Sequence, residues 1–136
     1  MSKPLAIAPD AERLTIDYLT AALAARSVTA TVGVDIPTTW STTSTQHLQV
    51  ALDGTPSLEY PILARATVRL TAWASSTTAA KSLVSLAQGL MCSHPGDASA
   101  ASVQALTGVL PTRDPVSGAQ LATCTVRVNL RMSVLA

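Results

Sequence analysis

The stretch from Ala64 to Met91 constrains this chain more than any other, because its hydrophobic period changes once, abruptly, within it. ARATVRLTAWA alternates: Ala66, Val68, Leu70 and Ala72 fall on one face, and Arg65, Thr67, Arg69, Thr71 and Trp73 on the other. A period of two over such a run is that of a strand with one buried face. After Ser75-Ser76-Thr77-Thr78, the residues Ala79, Ala80, Leu83, Val84, Leu86, Ala87, Leu90 and Met91 recur at steps of three and four, the spacing of one helical stripe. The hydroxyls between the two patterns can cap the unpaired N–H groups of the helix's first turn. A long strand, a tight corner and an amphipathic helix therefore form one unit. Other strands must pair beside it, and its helix must cover their apolar faces.

The remaining periodicities supply those strands. Residues 1–9 are expected to be a loose arm. Asp10 opens a helix to about Arg26, with Ala11, Leu14, Tyr18, Ala21, Ala22 and Ala25 on a stripe that Leu19 and Leu23 widen. Val28 to Ile36 alternates as a strand. Residues 37–45 (PTTWSTTST) break the pattern and are expected to be a long exposed loop. Gln46 to Asp53 resumes strand period with Leu48, Val50 and Leu52 inward, and Pro56 and Pro61 bound an irregular connection. After the second helix, Cys92 to Ala101 is a loop, Ser102 to Leu110 a weaker strand, and residues 111–118 a turn-rich tip. Leu121 to Met132 alternates strongly: Ala122, Cys124, Val126, Val128, Leu130 and Met132 against Thr123, Thr125, Arg127, Asn129 and Arg131. The order α-β-β-β-α-β-β predicts a single domain over 1–136. It is of the α+β class, a two-layer sandwich of a mostly antiparallel sheet with two helices on one face.

Composition narrows the function classes. Hydrophobic residues make up 48% of the 136, but only 12% are charged, about half the usual share. A surface so poor in charge suits a chain packed among copies of itself. A net charge of +1 gives no electrostatic footprint for nucleic acid or an anionic membrane, and 3% aromatics with no Phe leaves no base-stacking platform. Leu5 to Ala8 is too short for a signal peptide, and no window approaches the ~20 apolar residues of a membrane span. The reading is a soluble chain made in a cytoplasm. Cys92 and Cys124, without metal-ligand spacing, read as small apolar fillers in a reducing compartment.

The search for reaction chemistry is mostly negative. There is no glycine-rich phosphate loop, GxSxG, HExxH or CxxC. His47 lies on a strand and His94 in a loop, neither beside a carboxylate cluster, and Asp114 before Pro115 reads as a turn former. No catalytic residue, metal ligand or cofactor site is expected. The arginines are the better lead. Arg65/Arg69 and Arg127/Arg131 recur at spacing four, so each pair shares a sheet face. The plain reading is a solvated face whose cations oppose aggregation. The functional one is a subunit interface, where Arg meets a neighbour's carboxylates with a rigid fork. Trp73, at the end of that face, and Trp40, in the Thr/Ser-rich loop, present the same choice. Arg65, Arg69, Trp73, Arg127, Arg131 and Trp40 are the candidate interface residues.

The helix near the N-terminus, the strand VTATVGVDIP, the phrase RLTAWASSTTAAKSLVSLAQGLM, and a last strand preceded by DPVSG together resemble the tail terminator proteins of long-tailed phages. The likeness runs from Asp10 to Arg131, and the run from Arg69 to Leu90 is its most specific piece. The resemblance implies a non-enzymatic virion protein, assembled in the host cytoplasm as a six-membered ring on the end of the tail tube. Its partners would be copies of itself, the tail tube protein and a head-completion protein, with DNA only passing through the lumen. Two other readings stay open: a head-completion or neck connector of the same virion, and, from a different class, a small-molecule-binding α+β domain.

Overall fold

Hydrophobic alternation builds one twisted sheet here, and two amphipathic helices close its apolar side. The computed structural model describes residues 3–37, 40, 41 and 43–135. In chain order the elements are β1 (Ala6–Ile7), α1 (Ala11–Ala25), β2 (Thr31–Gly33), β3 (His47–Leu52), β4 (Ser57–Glu59), β5 (Leu63–Ala74), α2 (Thr77–Cys92), β6 (Ala100–Arg113), β7 (Gln120–Arg131) and β8 (Ser133–Val134). The main sheet runs β2-β3-β5-β7-β6, with β4 pairing back on β5, while β1 and β8 make a separate two-stranded ribbon. All pairings are antiparallel except β2 with β3. The class is therefore α+β, a two-layer sandwich.

The central strand alternates as its sequence does. Ala64, Ala66, Val68, Leu70, Ala72 and Ala74 are buried, and the first five pair in register with the buried Leu130, Val128, Val126, Cys124 and Ala122 of β7. The helix α2 presents Ala80, Leu83, Val84, Ala87 and Met91 to that face. Each fully buried Leu or Val there contributes about 1.5–3 kcal/mol. Ser76 caps α2, its side chain accepting from the Ala79 N–H at 3.1 Å, and Asp10 caps α1 through the Arg13 N–H at 3.2 Å. Such caps are worth about 1 kcal/mol each. The helix α2 lies over β5, β7 and β6, and α1 over β2 and β3, so both helices cover one face. Among the described residues no helix is long and apolar enough to cross a membrane.

Several expectations need correction. The buried stripe of α1 is Ala11, Thr15, Ile16, Leu19 and Leu23, whereas Ala21 and Ala25 are exposed. The large side chains take the core because burial energy follows apolar area, and the alanine methyls yield. The expected strand Val28 to Ile36 is paired only over Thr31–Gly33, because its parallel neighbour β3 begins at His47. The expected loose arm 1–9 contains β1, which is tied down: Tyr60 Oη accepts from the Ala6 N–H at 2.9 Å and donates to the Pro4 carbonyl at 2.8 Å. The connection after β3 contains β4. The weak strand 102–110 is the longer β6, with three register irregularities against β7. Leu52 is half-exposed at the end of β3, and Cys92 is exposed rather than a buried filler, while Cys124 is buried.

Candidate functional site

The second face of the sheet has no layer upon it among the described residues. Its residues are set by pairing register: Arg65 opposite Asn129, Thr67 opposite Arg127, Arg69 opposite Thr125 and Thr71 opposite Thr123. Arg127 thus sits between Arg65 and Arg69 of the neighbouring strand. Threonine ladders join the strands, with the Thr107 and Thr125 hydroxyls 2.8 Å apart and those of Thr71 and Thr123 3.3 Å apart. These β-branched residues hold strand conformation while presenting hydroxyls outward.

Two of the arginines already have carboxylates within the chain. Arg69 Nη2 lies 2.9 Å from Asp53, at the turn after β3, and Arg65 Nη2 lies 3.2 Å from Glu59 at the end of β4. Both pairs are substantially exposed, which limits each to roughly 0–1 kcal/mol. Arg131 donates its Nε–H to the Asp97 carbonyl at 3.1 Å. Among the described residues Arg127 alone of the four has neither an ion pair nor a side-chain hydrogen bond to a carbonyl. The carboxylates that hold Arg65 and Arg69 were not visible as partners in the sequence, since β4 and the register of the Asp53 turn were not. Beside Arg69, where β6 bulges from β7, an open groove of about 290 Å³ is lined by Asp53, Thr107, Leu110 and Thr125 among others.

The two tryptophans meet at the other end of the face. Their rings pack edge to face with centroids 5.8 Å apart, a favoured aromatic geometry. Trp73 Nε1 donates to Gln49 Oε1 at 3.3 Å, and Trp40 Nε1 to the Thr45 carbonyl at 3.0 Å. Trp40 is thereby held against the sheet at Trp73. Thr38, Thr39 and Thr42 of the expected 37–45 loop lie outside the described residues. The structure therefore joins Trp40 to Trp73 and lines Arg131, Arg65, Arg127 and Arg69 along one face, with Arg131 at the end of β7 and held by the Asp97 carbonyl.

His47 was set aside as a strand residue, and the structure gives it a definite place. It pairs with Trp73 yet is only 3% exposed, with Nδ1 2.6 Å from Thr31 Oγ1 on β2. Burial pushes its pKa below the ordinary 6.5, and the nearby Asp35 backbone opposes that shift. Among the described residues its Nε2 makes no hydrogen bond of good geometry, the Asp35 backbone being near enough only to weaken the pKa shift. Nothing in the sequence marked this place: even Gly33 beside the ring is not required by it, since a Cβ there would meet His47 Cε1 at 3.8 Å, an ordinary van der Waals contact. His94 is also structural. Its Nδ1 accepts from the Gly96 N–H at 2.9 Å, and its ring stacks on Tyr18 at 4.5 Å. Asp114 holds the turn before β7, accepting from Ser117, and that bond lowers its pKa. Among the described residues, no three His, Cys, Asp or Glu side chains converge as metal ligands would.

No protein-family model and no curated protein sequence matches this chain.

Proposed function

We propose that this chain is a structural ring subunit that caps the end of a phage tail tube, stops its growth and presents the tail side of the head–tail junction. The observation that supports the reading is the one-sided sandwich: two strands of 12 residues and one of 14 offer a broad polar face that, among the described residues, carries no second layer beyond Trp40 at its Trp73 end. A polymerising tube ends in the surface it grows from, so growth stops only when something occupies that surface without regenerating it. A subunit with one face matched to the tube and a different opposite end does this by geometry, with no bond made or broken. Arginine and threonine on a rigid sheet provide donors in fixed positions, which favours register over raw affinity.

The test is deletion of the gene from the phage. Electron micrographs of the lysate should then show overlong tubes beside tailless heads. Tails of normal, uniform length still joined to heads would overturn the proposal. Normal-length tails lying free would assign the chain instead to head completion, because termination would have succeeded and only joining failed.

A further inference from the structure

Charge on the main sheet is of one sign. The strands β3, β5, β6 and β7 contain no Asp or Glu, yet they carry Arg65, Arg69, Arg113, Arg127 and Arg131, five of the chain's nine cations. Among the described residues only Asp53 and Glu59 form ion pairs with these arginines, each with one of them. The row along the outer face is therefore answered at Arg69 and Arg65, and Arg131 has the Asp97 carbonyl. Arg127, in the middle, is left over.

Its place is hard to explain from within the chain. Arg127 is half-buried, opposite Thr67 on β5 and Gln104 on β6. The register sets Arg65 and Arg69 on its two diagonals, about 7–8 Å away and within reach of such long side chains, where like charges repel. An arginine that guards against stray strand pairing belongs on a sheet edge. The strand β7 has no free edge, because it lies between β5 and β6. Threonine fills positions 67, 71, 123 and 125 of the same face, and it holds a strand without the repulsion. The chain thus keeps a cation between two others and, among the described residues, gives it no partner.

We propose that Arg127 binds an Asp or Glu side chain of a different protein docked on this sheet face. One uncommitted guanidinium offers one planar fork, which a carboxylate meets with two parallel hydrogen bonds. Nucleic acid would need a run of free cations to follow its phosphates, and both neighbours of Arg127 are engaged. A second copy of this chain is a poor source of the carboxylate. Of its eight carboxylate side chains, seven already accept hydrogen bonds or pair with arginines inside the chain, and among the described residues only that of Asp35 does neither. The carboxylate belongs to the tube protein, and for that identity the inference rests on the tail reading above.

Two variants of the full chain, expressed in the deletion phage, test this. Arg127→Lys keeps the charge and supplies an amine that carbodiimide can join to a carboxylate in contact with it. Treated and digested particles should yield a peptide pair linking position 127 to an Asp or Glu of the tube protein. Wild-type particles should lack it, because arginine does not couple. Arg127→Glu should lose the rescue of tailed particles. Its purified chain should keep the wild-type Tm within a few degrees, since the new carboxylate lies between Arg65 and Arg69. A link from position 127 only within the chain, a link only to another copy, or full rescue by Arg127→Glu would overturn the proposal. So would duplex DNA retained by the wild-type chain and lost by Arg127→Glu without any link to protein, which would assign the face to nucleic acid. Normal tails on deletion, with a link to an acidic side chain of another virion protein, would keep the carboxylate contact and remove the tail reading. Overlong tubes on deletion, with full rescue by Arg127→Glu, would do the reverse.

Discussion

Thr15 is the residue whose place its neighbours least announce. It is fully buried in the stripe of α1, and among the described residues its Oγ1 has no hydrogen-bond partner. A buried hydroxyl left unpaired costs about 1–3 kcal/mol, and valine has nearly the same shape without it. Thr15→Val should therefore stabilise the domain by about 1 kcal/mol, read as a higher urea midpoint with unchanged slope; a lower midpoint would mean the hydroxyl is satisfied. His47 carries a pH dependence. Its folded pKa lies below the ordinary 6.5, so on acidification the unfolded chain takes up the proton first. Stability from this residue is complete above about pH 6.5 and is lost as pH falls from there toward the lower folded-state pKa. Urea unfolding at pH 7.5 and 5.5 should show a larger loss for the wild type than for His47→Gln. Equal losses would place the proton elsewhere.

At the scale of elements, the strength of each periodic signal tracks how completely neighbours satisfy the strand. The strand β5 lies between β3 and β7, and its alternation in the sequence matches its burial residue for residue. The strand β7 was equally legible. At the edges the rule weakens. Most of β6 beyond Val103 is exposed on both faces, so its sequence shows little alternation, and its bulges shift what remains. The strands β1, β4 and β8 have two or three residues each, too few for any period to register. Backbone protection should follow the same gradient. Hydrogen exchange should find β5 and β7 amides opening only with global unfolding and β1 and β8 amides exchanging first. Equal protection of the ribbon and β5 would show that the ribbon is part of the cooperative core.

For the molecule as a whole, the class and the covered side of the sheet were legible because they depend on local period and on the strand-to-helix switch at Ser76. The candidate site was only half legible. Alternation places Arg65, Arg69 and Arg127 on one face, but which carboxylates reach them depends on the Asp53 turn and on β4 folding back. Both are set by tertiary register that no local pattern encodes. The same is true of the meeting of Trp40 with Trp73, which requires a Thr/Ser-rich loop to fold onto the sheet. The ribbon of β1 and β8 was hidden for a different reason: its two strands are far apart in the sequence and too short to show a period.

The pairing of β5 with β7 continues without a slip from Leu63 opposite Arg131 to Ala74 opposite Gln120. Tension applied between the Val116 tip and the ribbon acts along these strands. All the bonds of that ladder then resist together in shear, whereas tension across the sheet would open them singly, as a zipper opens. The subunit is accordingly mechanically anisotropic, stiff along its strands and weak across them.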